Sequence, residues 1–400
     1  MGYFRYWGAM IRCAALGSKA YYLWLATLVA VTGVGVWAYA QQLEQGLAVT
    51  HLSDQVSWGA YIANFTFLVG IAAAAVLLVV PSYVYHRSDL KRVVLIGELM
   101  AVSAIVMCLA FVTVDIGRPD RVLHLIPGIG RLNFPSSILA WDVVVLGGYL
   151  VLNLHIPGYV LYARYRGQEP TRRYYLPLVF LSIGWAISIH TVTAFLYSGL
   201  GGRPFWNTAI LAPRFLVSAF ASGPALLILC FYAIERSRTL EVGESVFRYL
   251  ARVASFALPL NYFLLGCEVF KEFYTDSAHV ASARYLFFGL HGHSVVAPYI
   301  WAGLAMGATA MVIFLTPRLR ARRGLLVAAS VLAVVGVWIE KGMGLVVPGF
   351  VPSPAGDIVE YAPSLLEGLI CLGIWALGAL LFTVMAKVAI AILTGRLRAA

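Results

Sequence analysis

Two runs, VGIAAAAVLLVV at 69–80 and LLVAASVLAVVGVW at 325–338, contain no charged residue and no alternation of polar with apolar positions. Continuous apolarity excludes the strands of a membrane barrel, whose two faces alternate. Crossing a hydrocarbon core of roughly 30 Å takes about 20 mostly apolar residues in a helix. Ten stretches meet that demand, near 20–40, 58–84, 93–114, 138–162, 174–198, 210–234, 248–270, 296–316, 324–344 and 364–393. Composition agrees, with 61% of the 400 residues hydrophobic, 12% charged and a mean hydropathy of +0.84. The chain therefore reads as an all-α polytopic membrane protein of about ten transmembrane helices, without a loop long enough for a soluble domain.

The basic residues orient it. The N-terminal segment, the second, fourth, sixth and eighth links and the C-terminal segment carry most of the 29 lysines and arginines, including RRY at 172–174 and RLRARR at 318–323. The positive-inside rule then predicts cytoplasmic N- and C-termini in the cytoplasmic (inner) membrane. The net charge of +11 is accordingly assigned to the anionic leaflet of the lipid bilayer, with no nucleic-acid partner. AYA at 38–40 resembles a signal-peptidase site, yet 19 residues precede the apolar run, so the segment is expected to stay as the first span.

A weak internal repeat aligns FLVGIAAAAVLLVV at 67–80 with FLVSAFASGPALLI at 215–228, and carries HTVTAFLYSGLGGRPF toward EKGMGLVVPGF. Spans two to five would then recur, in parallel, as spans six to nine. The expected organisation is residues 1–57 as the first span and outer loop, 58–209 and 210–363 as two four-helix bundles, and 364–400 as the last span and tail.

The unusual residues gather at the outer span ends: DQVSW at 54–58, DIGRPDR at 115–121, FPSSILAWD at 134–142, SIHTVTAFLYSGLGGRPFWNTAILAPRFL at 188–216, GCEVFKEF at 266–273, FGLHGH at 288–293 and IEKGMGLVVPGF at 339–350. An ionisable group in hydrocarbon costs a few kcal/mol or more unless it faces protein or water. Asp142, His190, Glu268, Glu340 and Lys341 are therefore functional candidates, and Glu98 and His155 are candidates nearer the inner end. Several of the polar residues have a plain structural alternative, Glu98 and His155 as bundle-stabilising polar contacts among them. Arg203 and Arg214 would also serve as headgroup anchors or as partners of Asp115 and Asp120, His190 as a packing histidine, and Glu268, Lys271 and Glu272 as a local ion-pair group.

Resident metal chemistry is not written in the chain. Cys13, Cys108, Cys230, Cys267 and Cys371 are far apart and form no CxxC, so no iron–sulfur cluster or zinc site is expected. His155 and His190 sit at opposite depths, separated by roughly 14 Å at 1.5 Å per residue, and cannot share one haem iron. The other histidines, His51, His86, His124, His279, His291 and His293, fall in loops or at span ends. A histidine, carboxylates, arginines and aromatics near one membrane face suit a quinone, whose ring needs apolar walls and whose oxidation releases protons to nearby bases. They also suit a substrate transporter.

The stretches DQVSWGAYIANFTFLVG, TVDIGRPDR, NFPSSILAWD, EVFKEFY, YLFFGLHGH, the 188–216 segment and IEKGMGLVVPGF resemble the NrfD/polysulfide-reductase (PsrC-like) family of integral membrane subunits. Within it they are most similar to the DsrP type and to subunits of Hmc and Hdr-like menaquinol-oxidising complexes. The resemblance implies a quinone-reactive subunit using menaquinone or ubiquinone, with no haem or cluster of its own and with a link to sulfur metabolism. It places the quinone site near the outer face of the first bundle. The matching positions are Trp58, Tyr61 and Asn64, with Asp115, Asp142, His190 and Thr193, and with Arg203 and Arg214 at the loop or mouth. His190 would take a quinol proton, with Asp115 or Asp142 as its electrostatic partner, while Glu98, His155, Glu268, Glu340 and Lys341 would form proton relays. The implied partners are an outer-face [4Fe–4S] ferredoxin-like subunit, a cytochrome b membrane subunit, a cytoplasmic catalytic iron–sulfur subunit and a multihaem cytochrome c. A membrane anchor without a working quinone site, or a proton or small-anion transporter, are the competing expectations. The depth argument predicts that the purified chain is colourless; a reduced-minus-oxidised haem b band lost on His190→Ala would refute it.

Overall fold

A computed structural model describes residues 2–126, 128–275 and 280–399. Regular structure among them is helical, with one isolated antiparallel bridge between Leu290 and His293. Ten of these helices are long and apolar enough to cross a membrane: Lys19–Gln45, Ala60–Val84, Val94–Asp115, Ile138–Tyr165, Arg172–Ser198, Leu211–Arg236, Glu244–Thr275, Ala297–Leu315, Arg323–Gly349 and Leu365–Leu393. Each overlies one of the expected stretches. Several run past the apolar segment at an end, as Glu244–Thr275 does, because the backbone ladder continues where side chains become polar. Three α-helices among the described residues lie outside the spans, Gly2–Ala15, Val280–Phe288 and the single turn Pro317–Arg320, and escaped the apolar-run reading because none is long enough to cross a bilayer.

The second to fifth spans close into a ring, the second packing on the third and fifth and the fourth on the third and fifth. The sixth to ninth spans pack in the same order, which is the arrangement a parallel repeat produces. The rings meet along the second span, which packs on the sixth and on the ninth. The burial of this span follows: 89% of its apolar window lies inside the protein, against 17% for the first span. Its run of alanines and Gly70 lets neighbouring backbones approach on all sides, as small residues do between membrane helices.

The first and tenth spans cross outside the rings at Gly35 and Gly373, where a Cβ on either glycine would strike the other's backbone. Two spans are interrupted. Regular helix in the second stops at Ala73, resumes at Val76 and ends in a π-turn, Val80–Val84. In the ninth, the α-helix Arg323–Trp338 passes into a π-turn, Ile339–Met343. An inserted π-turn re-aims the side chains within it, and this one carries Glu340 and Lys341.

The Gly35–Gly373 crossing is open to test. Gly373→Leu must spread the two helices, and overpacking of this kind typically costs about 1–3 kcal/mol. The thermal unfolding midpoint should fall, whereas Gly368→Leu, whose Cβ meets open space, should leave it nearly unchanged.

Candidate functional site

The long loops lie at one end of the rings, and the expected site residues separate there into two groups. On the fifth span, His190, Thr193 and Tyr197 recur at helical spacing and face inward, all buried. The Thr193 hydroxyl donates to Asp142 Oδ1 at 3.1 Å, bringing the fourth span to this stripe. His190 Nδ1 lies 3.2 Å from the carbonyl of Ala186, a contact that orients the ring along its own helix. Its Nε2 is buried with no hydrogen-bond partner among the described residues, and so is Oδ1 of Asp115 at the end of the third span. Tyr197 shares a very short hydrogen bond with Thr66 of the second span. Asp142 and Asp115 lie within electrostatic reach of Tyr197, and Asp115 also within reach of Tyr61 and Glu367.

The other group is ionic and belongs to the second ring. Arg214 is not at the loop mouth. It is buried on the sixth span, with one guanidinium nitrogen against Glu268 of the seventh and the other 2.6 Å from Glu340 Oε1 of the ninth. Neither Asp115 nor Asp120 is its partner; Asp120 pairs with Arg118 in the loop at 2.9 Å. Asn261 completes the cluster by donating to Glu340 Oε2 at 2.8 Å. The next residue, Lys341, points the other way: its Nζ donates to the Phe215 carbonyl at 3.2 Å, sits 4.3 Å from the centre of the Phe215 ring and faces Gly70 of the second span. The π-turn thus sets Glu340 toward Arg214 and Asn261 within the second ring, and Lys341 into the seam between the sixth span and the second. Two narrow cavities flank the cluster. One is lined by Arg214, Glu268, Glu272 and Glu340 with Phe287 and Leu345, the other by Arg214, Ser218, Asn261, Glu340 and Lys341.

Several expected contact residues have structural work. Asn64 Oδ1 accepts from Trp338 Nε1 at 3.0 Å and Trp375 Nε1 at 2.9 Å, tying the second span to the ninth and tenth. Tyr61 donates to Gln42 Oε1 at 2.7 Å, and Gln42 donates onward to the Val114 carbonyl at 2.6 Å. Trp58 is half-buried and packs on Tyr197, Trp206 and Phe350 with ring centres 5.6–5.9 Å apart. Arg203 covers Phe350 at 4.5 Å and donates to its carbonyl at 3.2 Å, which fastens the 199–210 loop to the end of the ninth span. Gly349 allows this closure, because any side chain there would collide with the Trp206 indole.

The inner candidates are separated. Glu98 is buried on the third span and accepts from Tyr83 at 3.3 Å, Tyr83 being held in the π-turn of the second span. His155 is exposed on the fourth span, so the partner of Glu98 is a phenol and not that imidazole. Lys271 pairs with Glu272 at 3.2 Å, but Glu268, the third member of the expected local group, pairs with Arg214 of the sixth span instead. Of the loop histidines, His293 pairs with Glu360 at 3.1 Å, and His279 lies outside the described residues.

Sequence reasoning passed over Tyr83, Tyr197, Trp206, Asn261 and Glu367. Glu367 had a signal: SLLE at 364–367 is a capping box, and the structure forms both of its bonds. The same carboxylate also accepts from Tyr361 at 2.5 Å and from the His51 amide at 3.0 Å, although it is fully buried. Burial first, and the Glu367 charge second, push the Tyr361 phenol well above its ordinary value, so it keeps the proton it donates.

Residues 48–351 match the family described as polysulphide reductase, NrfD. The chain belongs to the NrfD polysulphide reductase family. The matched region runs from the loop before the second span to the end of the ninth, which takes in both rings and neither edge span. This NrfD chain is 26% identical, over 92% of its length and 93% of the relative's, to the Hdr-like menaquinol oxidoreductase integral membrane subunit of Archaeoglobus fulgidus. It is 26% identical to a putative dimethyl sulfoxide reductase membrane subunit of Halobacterium salinarum, covering 82% of this chain and 77% of that one. It is 22% identical to a selenate reductase subunit of Mesobacillus selenatarsenatis, covering 92% and 93%.

Removing one partner of a buried ion pair strands the others and typically costs about 3–5 kcal/mol. Arg214→Met should therefore lower the thermal stability of the purified subunit sharply. Adding Glu268→Gln and Glu340→Gln should restore much of the loss; no recovery would mean that Arg214 stabilises by packing alone.

Proposed function

We propose that this NrfD-family chain is the quinone-reactive membrane subunit of a multi-subunit respiratory oxidoreductase, exchanging electrons between the quinol pool and an iron–sulfur partner at the long-loop end. The observation that carries this reading is the buried His190 Nε2 without a partner, on a stripe shared with Thr193 and Tyr197 and beside Asp142. A buried polar atom left unpaired is costly and is commonly completed by a ligand or water. The orphaned Asp115 Oδ1 fits the same guest, whose two ring oxygens need one polar partner each. The menaquinol in the name of the Archaeoglobus relative supports the substrate class.

A bound menaquinol or ubiquinol supplies two electrons and two protons per oxidation. His190 Nε2 is the base that takes one proton, while Nδ1 stays engaged with the Ala186 carbonyl and fixes the ring. Thr193 holds Asp142, keeping its carboxylate on the stripe, and Asp115 takes or passes the second proton toward the loops. Trp58 and Tyr197 give the apolar wall. The electrons leave through a [4Fe–4S] ferredoxin-like subunit on the outer face, and a cytochrome b subunit, a cytoplasmic iron–sulfur subunit and a multihaem cytochrome c complete a sulfur-linked complex. Both termini then lie in the cytoplasm, as the basic short links require.

Lys341 supports a coupling role for the second ring, because one π-turn holds it against Gly70 of the second span while its neighbour Glu340 holds Arg214. Protons would then move through the Glu268/Glu340 cluster and its cavities. Glu98 with Tyr83 forms the counterpart nearer the short-loop end.

In a reconstituted complex, His190→Ala and Asp115→Asn should each slow quinol-driven reduction of the partner's clusters by roughly 10²- to 10⁴-fold while assembly persists. Normal turnover in both would leave these as packing residues and favour the anchor reading. In proteoliposomes, Glu98→Gln and Glu340→Gln should depress proton uptake more than electron transfer; unchanged stoichiometry in both would remove the relay.

A further inference from the structure

The helix Gly2–Ala15 has three sides. Tyr6, Ala9, Met10, Cys13 and Ala14 are buried or half-buried, recurring at the three- and four-residue spacing of one helical face. Tyr3, Phe4, Trp7 and Ile11 form a second face that is apolar and exposed, with Phe4 84% and Ile11 66% accessible. Arg5 and Arg12, seven residues apart and so on one line, form a third that is basic and exposed. A helix that only capped the bundle in water would need one apolar face. Here there are two.

Independent contacts fix its depth. Tyr6 packs on Tyr162 and Tyr165 with ring centres 5.0 Å away, in the last turns of the fourth span. The helix also packs on the tenth span, where the Lys387 ammonium reaches the Leu16 carbonyl just past the helix end and lies 3.4 Å from the centre of the Tyr21 ring. Lys387 is six residues from the end of that span, roughly 9 Å at 1.5 Å per residue. Tyr21 donates to the Ala14 carbonyl at 2.7 Å. The helix is therefore pinned against the short-loop ends of the fourth and tenth spans, and its chain enters the first span at Lys19.

We propose that the Tyr3, Phe4, Trp7 and Ile11 face is seated in the bilayer interface, with Arg5 and Arg12 paired to anionic headgroups, so that the helix is an in-plane lipid-binding element and not a docking site for a protein. Two observations choose lipid as the occupant. The face is followed along the chain by exposed Tyr22, Leu23 and Trp24 in the opening turns of the first span, a helix long and apolar enough to cross a membrane. The charge also matches, since Arg5, Arg12 and Lys19 stand at the end where the short links concentrate their own basic residues. Aromatic and aliphatic side chains on one arc, with arginines on the next, satisfy an acyl layer and a phosphate layer at once.

The full chain in vesicles of phosphatidylcholine with phosphatidylglycerol tests this. In a background carrying Cys13→Ser and Cys267→Ser, Phe4→Cys and Ile11→Cys should react several-fold more slowly with a water-soluble maleimide than Arg5→Cys and Arg12→Cys. Equal rates at all four positions would place the helix in water and overturn the proposal, and no partner protein is present to mask the result. A cysteine-free reading accompanies it: Trp7→Phe should reduce the fraction of emission quenched by brominated lipid, and an unchanged fraction would count against insertion. Phosphatidylglycerol should raise the unfolding midpoint of the wild type, and Arg5→Gln with Arg12→Gln should shrink that rise. A rise of the same size would overturn the headgroup pairing.

Discussion

One guanidinium organises the second ring. Arg214 joins the sixth, seventh and ninth spans by meeting Glu268 and Glu340 together. Inside a protein each of these charges is expensive to desolvate, and only direct contact with an opposite charge recovers that cost. The fork of an arginine meets two carboxylates where a lysine could meet one at close range. One residue beyond Glu340, Lys341 lies against Phe215 and Gly70, so that the two neighbours are distributed across the joint between the rings.

That distribution depends on the π-turn. In an uninterrupted α-helix adjacent residues already diverge, but the backbone is committed to the ladder and side-chain directions are set by the regular winding. The turn at Ile339–Met343 re-aims both groups, so that Glu340 faces Asn261 and Arg214 while Lys341 crosses toward Phe215 and Gly70. The small residues of the second span make room for it. Lys341 thereby brings the second-ring cluster up against the first ring at Gly70. Around both, Asn64 and the Trp58, Trp206 and Phe350 rings supply the packing that holds the spans in register.

The residues with unpaired atoms and those with full partnerships behave differently in this account. Asn64, Tyr61 and Arg203 have their hydrogen-bonding groups engaged by indole, amide and backbone carbonyl, which fits a role in holding the spans and loops. His190 and Asp115 keep a buried atom unengaged, which is the condition under which a guest is held. The family match places the chain in its family, while the geometry distinguishes the residues within it.

The ten spans were legible from composition alone, because in hydrocarbon every backbone group must be paired within its own helix and about 20 apolar residues suffice to announce one. His190, Asp142, Glu268, Glu340 and Lys341 stood out in the sequence for a related reason: an ionisable group in an apolar run is conspicuous. The cap at Ser364 and Glu367 was there to be read as well. Partnerships were not. Arg214 sits in sequence beside the loop with Arg203, but the sixth span turns it into the second ring, where two carboxylates outcompete the loop aspartates. His155 and Glu98 share a depth on neighbouring spans, yet helix rotation leaves one facing outward and the other facing Tyr83. Length and hydropathy determine which segments enter the membrane; the azimuth of each helix, set by packing of small residues and by a π-turn no propensity announces, decides which polar groups meet.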